Sequence, residues 1–317
     1  MKNLENGLKI GNVKLPSNLI LAPMAGFSDL AFRELCRTYG AGLVCTEMVS
    51  AKALSYDSEK TGELLYSIPK TKPVAVQIFG HEPEIMAQAV KNPLLKRFDI
   101  VDINMGCPAP KITKNGDGSA LLKNPELAEK IIRACVEATE KPVTVKFRIG
   151  YEIGENIAVE FAKMCERAGA SAITVHGRTT KQGYSGHADY NAIAQVKNAV
   201  SIPVFANGDC RSHDDYLNIL KITGADGVMV GRAALGRPEI FEEILIGQLC
   251  EKDKFSQIKF HYEKLLEFYS KRMVVLNMRS HLAHYLKGKH KNSQMLACLM
   301  RSNDYDEIMQ KLNEFFA

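Results

Sequence analysis

Residues 142–177 read PVTVKFRIGYEIGENIAVEFAKMCERAGASAITVHG. The run 142–149 is apolar and β-branched, 156–168 has the apolar spacing of a helix, and 172–177 is a second β-branched run. A strand, a helix and another strand in this order predict a β-α-β unit with parallel strands. The unit therefore indicates an α/β fold.

The same unit recurs between Asn18 and Cys250. We predict strands over 18–25, 43–49, 73–79, 99–105, 142–149, 172–177, 203–208 and 227–231. We predict helices near 28–39, 52–66, 83–97, 125–139, 156–168, 189–199, 212–222 and 238–250, with start signals at Ser28, Asn124-Pro125 and Arg237-Pro238. Eight repeats over about 230 residues predict a (β/α)8 TIM barrel. The alternative is a doubly wound open sheet, which is disfavoured because the loop 23–27 lacks a GxGxxG turn.

After Cys250 only helical spacing remains, in 258–273, 279–285, 295–300 and 308–316. We therefore expect a barrel domain over 1–250 and a small all-helical domain over 251–317. Between Glu267 and Asp304 there is no acidic residue, so this stretch predicts a surface that carries only positive charge. Its basic residues are Lys271, Arg272, Arg279, Lys287, Lys289, Lys291 and Arg301, accompanied by His281, His284 and His290.

The composition is that of a globular protein. Of the 317 residues, 46% are hydrophobic and 24% charged, and the net charge of +5 is compatible with an enzyme or a weakly basic nucleic-acid binder. The eight cysteines are scattered without a CxxC pair, so we expect neither a metal site nor disulfides, and a reducing compartment. Met1 to Leu19 has no signal-peptide core, and no apolar run reaches membrane-spanning length. We expect a cytoplasmic protein.

Polar residues follow most of the predicted strands, where a TIM barrel holds its active site. Gly208, Gly231 and Arg232 follow strands seven and eight, where such barrels bind phosphate, so a phosphorylated cofactor is implied. The alternative is that the glycines only turn the chain. The polar strand-end residues are Gln77, Asn104, Cys107, Lys146, Arg148, His176, Arg178, Asn207, Asp209 and Arg232.

Lys146 interrupts an apolar strand and is costly to bury without an anion or an electron-rich ring. A flavin N1–C2=O edge is such a partner, and an ion pair with Asp102 or Asp209 is the alternative. Gln77 is a candidate donor and acceptor for the same ring edge, or a buried side chain bonded to backbone.

Cys107 lies between Gly106 and Pro108 at a polar strand end, which favours an acid or nucleophile over an inert buried thiol. His176 and Arg178 are candidates to contact a pyrimidine carbonyl, although a histidine in a barrel is often only a structural donor.

The chain resembles the tRNA-dihydrouridine synthase family from about Leu8 to the helical tail. The most specific element is Asn104-Met105-Gly106-Cys107-Pro108, followed by Lys111 and the segment 118–122. The other matching motifs are Leu21-Ala22-Pro23-Met24-Ala25-Gly26, Val76-Gln77, Val145-Lys146, Val175-His176-Gly177-Arg178-Thr179, Asn207-Gly208-Asp209 and Gly231-Arg232-Ala233-Ala234.

The resemblance implies an FMN enzyme that NADPH or NADH reduces and that converts uridine in tRNA to dihydrouridine. It implies hydride transfer from flavin N5 to uracil C6 and a proton from Cys107 to C5. Asn104, His176 and Arg178 would contact the base, and Arg279 and Lys287 the RNA. The cofactor would be bound by Pro23, Met24, Ala25, Gln77, Lys146, His176, Asn207, Gly208, Asp209, Gly231 and Arg232.

Two alternative functions remain at this point. One is a dihydroorotate or dihydropyrimidine dehydrogenase-like flavoenzyme that acts on a free pyrimidine and needs no basic tail. The other is a non-catalytic RNA-binding barrel that binds no flavin. The chain has no Trp where some relatives carry one, and Tyr190 and Tyr285 take those places, which weakens the transfer of RNA contacts. We expect a monomer.

Overall fold

The computed structural model describes residues 7–56, 59–288 and 292–316. The strands of the central sheet are β3 (Leu19–Leu21), β4 (Leu43–Ser50), β5 (Val74–Phe79), β6 (Ile100–Met105), β7 (Val143–Arg148), β8 (Ala172–His176), β9 (Val204–Asn207) and β10 (Gly227–Val230). These eight strands are parallel and form a closed barrel in the order β10-β3-β4-β5-β6-β7-β8-β9, which confirms the predicted TIM barrel.

Helices cover the outside of the barrel. The buried core between them and the sheet includes Phe32, Val145, Phe161 and Phe241. Around the barrel lie α1 (Leu30–Thr38), α2 (Ala51–Leu54), α3 (Glu59–Leu64), α4 (Pro83–Lys91), α5 (Pro110–Thr113), α6 (Pro125–Glu137), α7 (Ala158–Arg167), α8 (Tyr190–Ala199), α9 (His213–Thr223) and α10 (Ile240–Ile246).

Two helix starts differ from the prediction. Helix α1 is capped by Asp29, whose carboxylate accepts from the backbone N–H groups of Ala31 and Phe32, and Ser28 instead bonds the backbone of Met24. Helix α10 begins at Ile240, two residues after Pro238. The start of α6 agrees with the prediction, with Asn124 as cap and proline in the first turn.

The barrel interior changes from apolar to polar along the strands. Because successive side chains of a strand alternate in direction, residues two apart share the inner face. At the amino ends this face carries Ile20, Ile100, Ala172 and Phe205, which form one apolar cluster. Toward the carboxyl ends the cross-strand partners are Asp102↔Thr144, Asn104↔Lys146, Arg148↔His176 and His176↔Asn207.

A short hairpin that the sequence did not predict closes the apolar end. Its strands are β1 (Lys9–Ile10) and β2 (Val13–Lys14), paired antiparallel. Ile10 and Leu15 are buried in the apolar cluster of the barrel interior. The barrel therefore opens only toward its polar end within the described residues.

The C-terminal part consists of helices α11 (Lys254–Leu266), α12 (Lys271–Tyr285), α13 (Asn292–Arg301) and α14 (Tyr305–Phe316). The predicted helix 258–273 is wrong because the chain turns between α11 and α12, where Ser270 caps the second helix. The tail has its own buried cluster, which includes Leu30 and Ala31 of α1 and so joins it to the barrel. No helix in the described part of the chain is long and apolar enough to cross a membrane.

Candidate active site

A cavity of about 1050 Å³ lies at the carboxyl ends of the strands and extends to the tail. Cys107 and Lys146, which the sequence placed in one site, both line it. Among the described residues, the predicted site residues that line this cavity are Pro23, Met24, Ala25, Asn104, Cys107, Lys146, His176, Asn207, Gly208, Asp209, Gly231, Arg232 and Lys287.

The backbone around Cys107 is held on both sides. The Oδ1 atom of Asn104 accepts from Cys107 N at 2.9 Å, and Arg148 Nε donates to Gly106 O at 2.9 Å. The carbonyl of Cys107 accepts from the N–H and the hydroxyl of Ser119 at 3.1 and 2.9 Å. A partly exposed thiol on a fixed turn is suited to deliver a proton to one side of a bound molecule.

Lys146 projects into the polar layer of the barrel without a carboxylate partner. Among residues 7–56, 59–288 and 292–316, no carboxylate lies within 4.0 Å of its ammonium, so neither predicted ion pair forms. The Asp102 carboxylate instead accepts from Gln77 Nε2 at 2.7 Å and from Thr144 Oγ1 at 2.6 Å. Burial and the Arg148 guanidinium lower the pKa of Lys146 to about 8. Its charge is therefore available to an anionic or electron-rich ligand at neutral pH.

His176 is neutral in this setting. Burial lowers the pKa of its imidazole, and the cations Lys146 and Arg148 lower it further. Its Nε2 atom is buried and has no hydrogen-bond partner in the described structure, while the side chain lines the cavity. An unsatisfied buried nitrogen on a cavity wall is a group that a polar ligand can satisfy.

The end of the cavity near β9 and β10 is cationic at its rim. Asp209 pairs with buried Arg178 at 2.8 Å and also accepts from Ala188 N at 2.9 Å, so its carboxylate is already satisfied. Arg232 and Arg211 lie farther from Asp209, at 3.9 and 3.7 Å, with 51% and 72% of their side chains exposed. These two guanidinium groups are therefore free to contact an anion such as phosphate.

Three side chains predicted to contact a ligand already have protein partners and do not line this cavity. Arg178 does not line the cavity, because its guanidinium bonds Asp209 and the carbonyls of Ser185 and Gly186. Gln77 lies one layer deeper, where its amide bonds Asp102 and Asn104. Arg279 is in α12 and bonds residues 302 and 303 away from the cavity. The Nη1 atom of Arg178 and the Nε atom of Arg279 are nevertheless buried without a hydrogen-bond partner in the described structure, and the ligand contacts of all three residues stay predictions.

The structure adds residues that the sequence did not single out. Tyr184 lies on the loop after β8, and its ring is 4.3 Å from the Arg232 guanidinium and 5.6 Å from that of Arg148. The sequence did contain a signal for this site, because glycines at 183 and 186 indicate a turn and Tyr184 lies between them. His284 of the tail, which the sequence named only as part of the stretch without acidic residues, also lines the cavity.

Of the predicted basic tail, Lys287 lies at the cavity and is exposed. Lys289, His290 and Lys291 lie outside the described residues. Two other cations on the cavity wall are neutralised, Arg237 by Glu243 and Lys254 by Glu239. Lys287 has no carboxylate within 4.0 Å in the ranges that the structure describes, so it is a cavity-lining cation of the tail that is available to a polyanion.

Asp29 joins the barrel to the tail. His261 Nε2 donates to its carboxylate at 3.1 Å, and His281 Nε2 lies 2.9 Å from the same oxygen. Tyr285 contacts the other nitrogen of His261 at 3.2 Å, and the ring of Phe27 packs edge-on against His281. Burial opposes the ionisation of Asp29, but His261 and His281 outweigh it and hold the pKa of this carboxyl well below its usual value.

We expect Asp29→Asn to lower the free energy of unfolding by about 2–3 kcal/mol at pH 7, because a charged hydrogen-bond acceptor is lost while a cap is retained. The folded-state pKa of Asp29 is depressed, so its contribution is fully present above the unfolded value of about 4 and is lost as pH falls through the lower folded value. Urea unfolding at neutral pH and at a pH well below the unfolded value measures this, and the difference from wild type shrinks at the lower pH. Asp253→Asn, at an exposed cap, is the control, and an equal loss there contradicts the prediction.

A closed parallel barrel with a polar cavity at the carboxyl ends of its strands defines a (β/α)8-barrel enzyme. A family model described as Dihydrouridine synthase (Dus) matches residues 20–317. The chain therefore belongs to the dihydrouridine synthase family.

Curated relatives match almost the whole chain. The tRNA-dihydrouridine synthase B of Pseudomonas syringae pv. tomato is 40% identical over 320 residues, which cover 98% of this chain and 95% of that protein. The tRNA-dihydrouridine synthase B of Vibrio cholerae is 38% identical over 317 residues and 98% of each chain.

Solved structures share the fold at low identity. Morphinone reductase superposes with a TM-score of 0.56 at 14% identity, covering 79% of this chain and 91% of that one. A variant of NCR from Zymomonas mobilis gives a TM-score of 0.57 at 15% identity, covering 80% and 94%. These likenesses support the barrel architecture.

Proposed function

We propose that this protein reduces uridines in tRNA to dihydrouridine with FMN as its cofactor and NADPH or NADH as the electron donor. The observation that carries the proposal is the convergence of Cys107, Lys146 and His176 on one cavity of a dihydrouridine synthase family member. The division into a catalytic barrel, 1–250, and a tRNA-binding domain, 251–317, is part of the proposal, as are a monomeric state and a cytoplasmic location.

The residues present fit a flavin mononucleotide. Lys146 supplies an unpaired ammonium and His176 an unsatisfied nitrogen in the interior, which suit the polar edge of an isoalloxazine. Met24 and Ala25 offer an apolar wall, while Asn207, Gly208, Asp209, Gly231 and Arg232 form the rim for the ribityl phosphate. The cavity volume of about 1050 Å³ leaves room for a base beside the cofactor. When bound, the flavin supplies the hydride for uracil C6.

The chain's own groups perform the remaining chemistry. Cys107 Sγ donates the proton that uracil C5 needs, and its turn is fixed by Asn104 and Ser119. Asn104 and His176 line the space next to this thiol, so we propose that they contact the base. Reduction of one C=C bond then requires one hydride, from the cofactor, and one proton, from the thiol.

The decisive experiment is dihydrouridine mapping in tRNA treated with purified protein, FMN and NADPH. We expect a yellow protein that releases about one FMN per chain and forms dihydrouridine in tRNA far faster than in free uridine. Equal turnover of free uridine supports the free-pyrimidine enzyme instead. A colourless protein that FMN does not reconstitute contradicts the cofactor.

We expect Lys287→Glu to weaken tRNA binding and to reduce the slope of log Kd against log salt by about one, because one phosphate contact is lost. Filter binding at several salt concentrations measures this effect. Lys9→Glu, in the hairpin at the opposite end of the barrel, makes the same charge change and is the control. An unchanged salt slope for Lys287→Glu places the RNA elsewhere.

A further inference from the structure

A hydrogen-bonded pair of side chains outside the cavity lies next to the turn that carries Cys107. His81 follows strand β5, and its Nδ1 atom is 2.8 Å from Asp117 Oδ1. The His81 side chain is 40% exposed and that of Asp117 10%. Neither residue lines the cavity. The pair therefore joins the loop after β5 to the loop after the neighbouring strand β6.

A short path of contacts runs from this pair to Cys107. Asp117 precedes Gly118 and Ser119, which begin a short 3-10 turn. Ser119 is fully buried, and its N–H and hydroxyl both donate to the carbonyl of Cys107. The position of Ser119 thus depends on Asp117, two residues earlier in the same turn.

Gly118 shows how closely the two segments approach. Its φ is +59°, and a Cβ built there would lie 2.9 Å from Cys107 O and 3.2 Å from Cys107 Cβ. Residues other than glycine rarely adopt this positive φ, and here their Cβ would also be too close to Cys107. The segment 116–119 therefore packs directly against the backbone of Cys107, with His81 as its outer contact.

We propose that His81 and Asp117 are positioning residues for Cys107, in that their hydrogen bond fixes the segment 117–119 and so the direction of the thiol. This inference rests on the proposed function of Cys107 as the proton donor. Neither residue touches substrate or cofactor. Loss of the pair lets the segment shift, and small shifts of a proton donor slow its transfer steeply.

The first test uses the FMN-loaded full chain and compares two half-reactions, the reduction of the flavin by NADPH and the reduction of tRNA. We expect His81→Ala and Asp117→Ala to lower kcat for tRNA reduction by about tenfold or more. The KM for tRNA, the FMN content and the rate of flavin reduction by NADPH stay near wild type. His81→Asn keeps a donor at the position of Nδ1 and restores kcat. His187→Ala, an exposed histidine on another loop of the same mouth, is the control.

The second test does not require tRNA turnover. Alkylation of Cys107 by iodoacetamide, followed at the level of its peptide by mass spectrometry, becomes several-fold faster in His81→Ala and Asp117→Ala and remains unchanged in His81→Asn and His187→Ala. Equal alkylation rates in all variants overturn the positioning role. An equal loss of rate in flavin reduction and in tRNA reduction also overturns it, because such a loss indicates a purely structural effect. An inactive wild-type enzyme with these alkylation differences overturns the proposed function but retains the positioning.

Discussion

Cys107→Ala protein is expected to form dihydrouridine about 10²–10⁴ times more slowly than wild type, because a positioned general acid contributes that much to a proton transfer. FMN content and tRNA affinity should stay close to wild type, since the substitution removes one sulfur from the cavity wall and leaves the backbone bonds to Asn104 and Ser119 in place. Single-turnover mixing of reduced enzyme with tRNA, followed by flavin absorbance and by nucleoside analysis, measures the loss directly.

The same cavity provides a matched control for this experiment. Cys210 also lines it, but burial raises the pKa of its thiol to about 12, and it follows Asp209 at the rim near β9. Cys210→Ala should keep most of the single-turnover rate. If Cys107→Ala reduces tRNA at the wild-type rate, the proton comes from another group, and the role proposed for this turn is wrong.

The architecture of the barrel could be predicted because each strand is a continuous apolar run of β-branched residues between polar loops. Such runs are characteristic of parallel strands that are covered on both faces. The hairpin Lys9–Ile10 and Val13–Lys14 was missed because two-residue strands carry no periodicity. The tail helix over 258–273 was wrong because its apolar spacing continues through the turn at Ser270.

The position of a site residue was predictable where it lies on a strand, because side chains alternate between the two faces of a strand. Asn104, Lys146, His176 and Asn207 share the inner face near the carboxyl ends of neighbouring strands, and the period of two in the sequence places them there. Their positions on the cavity wall therefore do not depend on the conformation of the loops.

The protein partners of loop and tail side chains were not predictable. The Arg178 guanidinium bonds Asp209, 31 residues later in the chain. Arg279 bonds the turn at 302–303 in the tail. A polar side chain on a loop finds its partner through tertiary packing, and spacing in the sequence does not encode that partner.

Lys146→Met should raise the dissociation constant of FMN by about 10- to 100-fold at pH 7, which corresponds to the loss of one hydrogen bond from a charged group. The ammonium has no carboxylate within 4.0 Å in the described structure, so the substitution leaves no buried anion without its partner. Methionine has a similar length and fills the same volume. Fluorescence titration of the flavin-free protein with FMN gives the constant.

The pH dependence of FMN binding distinguishes the contribution of the Lys146 charge from that of its packing. The pKa of Lys146 is lowered to about 8, mainly by burial, so the group is mostly charged at pH 7 and loses its proton as pH rises through 8. Wild-type affinity for FMN should therefore fall between pH 7 and pH 9.5, because a neutral amine no longer attracts the electron-rich edge of the ring. Lys146→Met should show a flat profile over this range, and Lys146→Arg should retain affinity at pH 9. A Lys146→Met protein whose affinity falls with pH as steeply as wild type shows that another group controls binding, and the electrostatic role of Lys146 is then wrong.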